Sequence, residues 1–213
     1  MKIKVCGITL AGQLQELDQS GVDYAGLIFY DKSPRHVLPK LRSKEILNLN
    51  LSLKKVGVFV NETVDNILDQ VEIYGLDMVQ LHGYETPSMC KMLKKEVCVM
   101  KVFHINDKSS PVDWLVQPYQ DVCQYFLFDH ATGNSYGGTG SRFNWALLKE
   151  ADIGKEFFLS GGISPDSFEN IRDFQHPYFF GIDINSRFET APGIKDMEAV
   201  KDFVKEVNRI SKI

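Results

Sequence analysis

Short runs of apolar and β-branched residues recur along the whole chain and alternate with longer stretches of mixed polarity. Eight of these runs are typical of β-strands: Ile3–Ile8, Tyr24–Tyr30, Val56–Val60, Met78–Leu81, Cys98–Phe103, Tyr125–Phe128, Phe157–Leu159 and Tyr178–Ile184. Most of them start roughly 20 to 30 residues apart, whereas strands joined by hairpins start about 8–12 residues apart. The spacing therefore predicts strands that are connected by helices.

Helical periodicity fills several of the intervals between these runs. Helices are predicted over Leu10–Ser20, Thr63–Val71, Thr86–Lys95, from Ser164 onward, and over Lys195–Ile210. Asn61 or Thr63 is the expected N-cap of the second of these. Thr86 and Ser164 are each followed by proline, which is a common way for a helix to begin. The helical pattern is weaker after the second, fifth and sixth strands.

The alternation of strands and helices predicts parallel strands, because each return to the same edge of a sheet needs a crossover. Eight roughly equal units without a break in composition favour a single-domain α/β fold, a (β/α)8 or TIM barrel over residues 1–213. A doubly wound open sheet is the structural alternative. The chain is short for a barrel, so short loops are expected.

Composition and charge narrow the function classes. Hydrophobic residues make up 44% and charged residues 24% of the chain, as in an ordinary globular protein. A formal net charge of −4 without a dense basic run argues against a nucleic-acid partner. The chain has no apolar stretch long enough for a membrane span, no signal-peptide pattern and no CxxC pair among its four cysteines. A cytoplasmic protein without a zinc or disulfide framework is predicted.

Polar residues at the ends of the predicted strands are the first candidates for chemistry, since barrel enzymes place their active sites at the carboxyl ends of the strands. By position alone the candidates are Cys6, His82, Asp129, Ser160 and Asp183, together with Arg35 in the loop after the second strand.

Two glycine-bearing segments are candidates for phosphate binding. Leu159–Pro165, which contains Gly161 and Gly162, follows the seventh strand, and Gly181–Ser186, which contains Asn185, ends the eighth. Barrels often bind phosphate at these two loops through backbone amides. A tight turn is the purely structural alternative for the glycine pair. A third segment, Tyr136–Ser141, matches no nucleotide-binding motif. It is interpreted either as a loop that moves over a ligand or as a flexible connection.

Eleven short motifs identify a family. They are Lys4–Thr9, Gly26–Tyr30, Lys32–Arg35, Val56–Asn61, Val79–Gly83, Phe128-Asp129, Tyr136–Gly140, Phe143–Trp145, Leu159–Gly162, Gly181–Asp183 and Pro192–Asp196. Each motif is weak alone, but their order and spacing are specific. Over nearly its whole length the chain resembles the N-(5′-phosphoribosyl)anthranilate isomerase family of tryptophan biosynthesis.

This resemblance implies an Amadori rearrangement of a phosphorylated aminoaldose, with a small phosphosugar as substrate and no cofactor or metal. It further implies that Asp129 is the general acid and Cys6 the general base. We expect the apolar run before Asp129 to raise the pKa of its carboxyl group. We also expect the positive charge of the iminium intermediate to favour the Cys6 thiolate.

The resemblance also implies a set of substrate-binding residues. Arg35 would bind the anthranilate carboxylate through its guanidinium group. His82 would either orient sugar hydroxyls or serve as a hydrogen-bonded residue of the barrel mouth. Asp183 would contact sugar hydroxyls or order its loop. Phosphate contacts are expected from the backbone amides around Gly161, Gly162, Asn185 and Ser186.

The chain departs from the family pattern at two places, and alternatives remain open. Asn185-Ser186-Arg187 stands where the family commonly has Ser-Ser-Gly, and His130 stands where it often has a small hydroxyl residue. Either change can alter ligand affinity or the environment of Asp129. Another phosphosugar-barrel aminoaldose isomerase and a non-catalytic phospho-ligand-binding barrel are the rival functions. A monomer and a homodimer are both compatible with the sequence.

Overall fold

The computed structural model describes residues 1–106, 111–130 and 144–210. Within these ranges eight parallel strands pair in chain order, and the last pairs with the first to close a barrel. The strands are β1 (Lys2–Cys6), β2 (Tyr24–Ile28), β3 (Lys54–Phe59), β4 (Met78–Leu81), β5 (Cys98–Ile105), β6 (Tyr125–His130), β7 (Phe157–Leu159) and β8 (Phe179–Ile184). The predicted (β/α)8 fold is confirmed.

Helices follow the strands. They are α1 (Ala11–Gln19), α2 (Ser43–Leu47), α3 (Val64–Tyr74), α4 (Pro87–Leu93), α5 (Val112–Val116), α6 (Ala146–Lys149), α7 (Phe168–Asp173) and α8 (Met197–Ile210), with 3-10 turns at Gln117–Tyr119, Pro165–Ser167 and Ser186–Phe188. The three intervals with a weak helical pattern contain short helices of four or five residues. None of the helices in the described ranges has the length and apolar character needed to cross a membrane.

Helix starts follow the capping rules that the sequence indicated. The Thr63 hydroxyl accepts a hydrogen bond from the Asn66 N–H at 3.3 Å, so Thr63 rather than Asn61 is the N-cap of α3. The Thr86 hydroxyl accepts from the Met89 N–H in the same way, and Pro87 occupies the first turn of α4. These caps fix where α3 and α4 begin, directly after the loops that follow β3 and β4.

The start of the last helix was predicted too early. Lys195 belongs to a two-residue strand, β10 (Ile194–Lys195), which pairs antiparallel with β9 (Glu189–Ala191). The reason lies in α1, because the Gln13 side chain accepts from the Lys195 N–H at 3.1 Å and donates to the Lys195 carbonyl at 2.9 Å. Gly193, with φ of +88°, makes the turn between the two strands.

The barrel interior changes from apolar to polar along the strand direction. Seven buried residues from β2 to β7 fill its lower part: Tyr24, Val56, Met78, Met100, Val102, Leu127 and Phe158. Side chains two residues apart on a strand share a face, so the residues two positions further on also point inward. At the carboxyl ends of the strands, which we call the barrel mouth, those positions are polar on β4 to β7: Gln80, His104, Asp129 and Ser160.

Candidate active site

Polar side chains from six strands or strand ends converge at the barrel mouth. They are Lys4 and Cys6 from β1, Gln80 and His82 from β4 and its end, His104 from β5, Asp129 from β6, Ser160 after β7 and Asp183 from β8. Lys4, Cys6, Gln80, Asp129 and Asp183 are each at most 5% exposed. The positions selected from the sequence for chemistry therefore lie at one end of the barrel.

Cys6 is the last residue of β1 and is a buried free thiol. Gly26 on the neighbouring strand β2 makes room for it, since a Cβ atom there would lie 2.7 Å from the Cys6 sulfur and 3.2 Å from Lys4 Nζ. Lys4, two residues before Cys6 on the same face, donates from Nζ to Asp183 Oδ1 at 3.0 Å. Lys4 and Asp183 are register partners across the β1–β8 seam.

Burial and this ion pair set the protonation of the thiol. Burial raises the pKa of Cys6 above its usual value, and Lys4 only partly offsets that effect. Although burial lowers the pKa of Lys4, the facing Asp183 carboxylate and Cys6 raise it above the ordinary value, so Lys4 is held as a cation. The site therefore holds a thiol next to a fixed positive charge that favours its deprotonation.

Asp129 does not have the raised pKa that the sequence predicted. Burial does act in that direction, but His82, His104 and the His130 backbone N–H together hold the pKa of Asp129 below its usual value. Its Oδ1 accepts from the His130 N–H at 2.8 Å, and its Oδ2 lies 3.5 Å from His82 Nε2. The prediction considered the apolar run along β6 and could not include the histidines that other strands bring to the carboxylate.

His82 is held in place by a polar loop. Its Nδ1 lies 3.0 Å from the Gln80 side-chain amide. The loop that follows is fixed by Glu85, whose carboxylate accepts from the Gly83 N–H and pairs with Lys101 Nζ at 2.9 Å. Asn61, which has φ of +52°, joins this loop to the end of β3 by accepting from the Tyr84 N–H at 2.7 Å. These contacts fix the position of the imidazole over the barrel mouth.

Arg35 extends over the mouth from the loop after β2. Its guanidinium donates to both carboxylate oxygens of Glu189, with its shortest contact 2.7 Å from Nη2 to Oε2. Its Cδ passes over Gly7, where a Cβ atom would lie 2.7 Å away. Glu189 is also held by Lys195 Nζ at 2.8 Å. A bidentate carboxylate partner orients the guanidinium while leaving its Nη1 edge unused by that pair.

The glycine pair after β7 borders Asp129. Gly161 and Gly162 have φ of +80° and +68°, a region that favours glycine. A Cβ on Gly161 would lie 2.9 Å from Asp129 Oδ1. Across the mouth, Asn185 Oδ1 accepts from Lys195 Nζ at 2.7 Å, and Ser186 begins a 3-10 turn. The two loops thus lie at the ends of adjacent strands β7 and β8, as predicted.

The residues that depart from the family pattern lie at this mouth. Arg187 is exposed, and the His130 side chain is half-buried next to Asp129. The segment Tyr136–Ser141 lies outside the described residues.

Sequence reasoning missed five polar residues of the site. They are Lys4, Gln80, His104, Glu189 and Lys195. The first three lie within apolar strands, on the inward face of Cys6, His82 and Asp129, so strand parity was a usable signal. Glu189 and Lys195 gave no such signal, because their role depends on the β9–β10 pairing.

Comparison with known proteins identifies the family. The profile described as "N-(5′phosphoribosyl)anthranilate (PRA) isomerase" matches residues 3–206. The N-(5′-phosphoribosyl)anthranilate isomerase of Phocaeicola vulgatus is 40% identical over 210 residues, which cover 98% of this chain and 98% of that protein.

Solved structures agree with the sequence comparison. The phosphoribosylanthranilate isomerase of Thermotoga maritima superposes with a TM-score of 0.85 at 30% identity, covering 98% of this chain and 99% of that one. A phosphoribosylanthranilate isomerase in complex with reduced 1-(o-carboxyphenylamino)-1-deoxyribulose 5-phosphate gives a TM-score of 0.81 at 28% identity, again covering 98% and 99% of the two chains. The chain therefore belongs to the N-(5′-phosphoribosyl)anthranilate isomerase family, and it is an isomerase.

Proposed function

We propose that this protein converts N-(5-phospho-β-D-ribosyl)anthranilate into 1-(2-carboxyphenylamino)-1-deoxy-D-ribulose 5-phosphate in L-tryptophan biosynthesis. Family membership over residues 3–206 carries the proposal. A buried carboxyl group and a buried thiol at the same barrel mouth support the acid–base mechanism. The reaction moves hydrogen within one molecule, so the described side chains suffice without an external oxidant or reductant. We assign the whole barrel to one catalytic domain. Its cytoplasmic location stays a prediction.

The first step is opening of the furanose ring. Asp129 donates a proton to the ring oxygen while the anthranilate nitrogen forms a protonated Schiff base with C1′. The histidine neighbours of Asp129 hold its pKa below the usual value. The substrate adds a phosphate and a carboxylate, and negative charges near a carboxyl group raise its pKa. Substrate binding would therefore favour the protonated form of Asp129 that the step requires.

The second step is removal of the proton from C2′. The Cys6 thiolate takes this proton, and the resulting enolamine relaxes to the ketone. Cys6 lies at the end of β1, three strand positions around the barrel from Asp129 on β6. Acid and base therefore approach a sugar in the mouth from different sides. The Lys4 cation and the positive iminium both favour the thiolate.

The remaining predicted residues hold the substrate in this proposal. Arg35, already oriented by Glu189, offers its remaining donors to the anthranilate carboxylate. The backbone amides after β7 and β8, around Gly161, Gly162, Asn185 and Ser186, receive the phosphate.

Two further residues orient the sugar. His82 lies next to Asp129, and Asp183 pairs with Lys4 of the strand that carries Cys6, so both are assigned to the sugar hydroxyls. In this role they fix the orientation of the sugar relative to Asp129 and Cys6.

The decisive assay follows loss of anthranilate fluorescence from freshly generated phosphoribosylanthranilate. We expect rapid loss with the wild type, and Cys6→Ala and Asp129→Asn to lower kcat by about 100- to 10,000-fold, since each removes one proton-transfer group. Cys98→Ala at the opposite end of β5 and Asp202→Asn on the exposed face of α8 are matched controls. Circular dichroism checks that each variant is folded.

Two results would redirect the assignment. A folded wild type that binds a reduced product analogue without turning the substrate over would indicate a non-catalytic barrel. Turnover of a different phosphorylated aminoaldose, unaffected by Cys6→Ala, would indicate an isomerase that works through carboxylates alone.

A further inference from the structure

Three potential metal ligands meet at the mouth on three adjacent strands. His82 follows β4, His104 lies in β5 and Asp129 in β6, and one ligand atom from each lies within 4.8 Å of the others. His104 and Asp129 are register partners, so both point to the same face. The rings of His82 and His104 stand edge to face, with centroids 5.0 Å apart. The arrangement is two imidazoles and a carboxylate around one point.

Each of the three side chains has an outer partner on the side away from that point. His104 Nε2 lies 3.1 Å from the His82 carbonyl, and His82 Nδ1 lies 3.0 Å from the Gln80 amide. Asp129 Oδ1 accepts from the His130 N–H. Metal-bound histidines usually donate their second ring N–H to a carbonyl or carboxylate, which fixes the ring and its tautomer. These outer contacts orient His82 Nε2 and Asp129 Oδ2 towards each other.

The spacing suits a small metal ion. Zinc bonds to histidine nitrogen and carboxylate oxygen are about 2.0–2.2 Å long and tetrahedral, which places two ligand atoms about 3.4 Å apart. His82 Nε2 and Asp129 Oδ2 are 3.5 Å apart. Three protein ligands would leave a fourth position for water, as in open zinc sites.

Two buried polar atoms of this cluster have no hydrogen-bond partner among the described residues. They are His82 Nε2 and Gln80 Oε1. In the tautomer whose Nδ1 accepts from the Gln80 amide, His82 Nε2 carries the proton and faces Asp129 Oδ2 at 3.5 Å. A divalent cation between Nε2 and Oδ2 would displace that proton to Nδ1, bind both groups, and turn the Gln80 amide so that its Oε1 accepts from Nδ1–H. A metal ion would therefore satisfy His82 Nε2 and orient Gln80.

We propose that His82, His104 and Asp129 form a site for a divalent transition metal, with Zn²⁺ as the representative ion, and that its occupancy blocks the isomerase. Two imidazoles and one carboxylate suit Zn²⁺, Co²⁺, Ni²⁺ or Cu²⁺ better than Mg²⁺ or Ca²⁺. Metal and substrate would exclude each other, because the ion occupies the carboxylate assigned to the substrate's ring oxygen. Only this inhibitory consequence rests on the proposed function; the binding site does not.

Calorimetry with Zn²⁺ alone, on chelator-treated full-length protein, tests the site without reference to activity. We expect one equivalent to bind the wild type, and His104→Gln to bind at least about 100-fold more weakly, since one of three ligands is lost. His176→Gln, which removes a histidine before β8 at the opposite end of the barrel, should bind like the wild type. His104→Asn and His82→Gln are measured in parallel, so the result does not depend on the folding of one variant.

Cobalt and inhibition provide two further readouts. Bound Co²⁺ should give d–d bands without a thiolate-to-cobalt charge-transfer band. Zn²⁺ should inhibit wild-type turnover competitively. The inhibition constant of His104→Gln, measured against the uninhibited rate of that variant, should be at least about 100-fold higher than that of the wild type. Equal Zn²⁺ affinity in the wild type and the histidine variants, or a thiolate band that assigns the ion to cysteine, would overturn the proposal. Zinc binding to a protein without isomerase activity would uphold the site and refute the proposed reaction instead.

Discussion

At Gly26 the barrel wall carries only a hydrogen atom where the Cys6 thiol and the Lys4 ammonium group lie. Gly26→Ala would place a Cβ 2.7 Å from the sulfur, so the thiol must shift. Because a displacement of about 1 Å in a catalytic group can cost about 100-fold in rate, we expect kcat to fall by about that factor while the fold is retained. The fluorescence assay and circular dichroism measure the two effects.

Gly12→Ala is the matched control for this change. Gly12 is in α1, and no atom beyond its chain neighbours and the backbone of its own helix lies within 4 Å of the added methyl group. Activity should be unchanged, and the free energy of unfolding should rise by about 0.5–1 kcal/mol, since alanine is the better helix former. Equal activity in Gly26→Ala and Gly12→Ala would show that the thiol does not need its observed position.

In the proposed mechanism the pH profile depends on Lys4. The productive form of the enzyme would carry a proton on Asp129 and none on Cys6, although the pKa of Asp129 is lowered and that of Cys6 is raised. This form is a constant minor fraction between the two pKa values, so kcat/KM is flat there and falls on either side. Lys4→Met removes the cation that lowers the thiol pKa, so the alkaline limb should move to higher pH and the plateau should drop.

Steady-state kinetics across pH test this prediction. Lys2 lies on the same strand as Lys4 but is exposed and pairs with Asp23. Lys2→Met should therefore leave the alkaline limb in place. An alkaline limb at the same pH in Lys4→Met and the wild type would mean that Lys4 does not control the thiol.

Among the elements, the β9–β10 hairpin positions Arg35 through Glu189. Glu189→Gln removes the charge that holds the guanidinium in its bidentate contact. A charge-assisted pair of this kind is worth about 1.5–3 kcal/mol. We therefore expect KM to rise about tenfold, with a much smaller change in kcat, because substrate binding and not proton transfer is affected. Glu198→Gln, on an exposed position of α8, is the control, and a kcat loss without a KM change would contradict this role.

Elements were predictable where local rules decide them. The sequence indicated Thr63 and Thr86 as helix starts, and both are N-caps in the structure. A cap was predictable because it is a contact between residues three apart in the chain. Lys195 was assigned to a helix because its strand is specified by Gln13, which lies 182 residues away. The low pKa of Asp129 was missed for the same reason, since its histidines arrive on β4 and β5. The positions of these residues could be predicted from their own segments. The contacts that distant segments make with them could not.

For the whole molecule, the apolar lower part of the barrel interior supports the polar mouth. Phe158 is fully buried in this lower part and packs edge-on against Tyr24, with ring centroids 5.5 Å apart. Phe158→Ala should lower the free energy of unfolding by about 3–5 kcal/mol, because it leaves a cavity in the closed interior. Trp114 is 75% exposed, so Trp114→Ala should change the free energy of unfolding by less than about 0.5 kcal/mol. Denaturant unfolding measures both, and similar values would show that the interior is not tightly packed.

The ion pair between Lys4 and Asp183 joins the first barrel strand to the last. During synthesis the two residues are made 179 positions apart, so a ribosome finishes seven strands before the counter-ion of Lys4 exists. Until β8 arrives, Lys4 has no carboxylate at the seam and the thiol of Cys6 has no completed pocket. The polar mouth of the barrel can therefore be complete only when the ring closes. Enzyme turnover, followed during translation, would time the closure of the barrel.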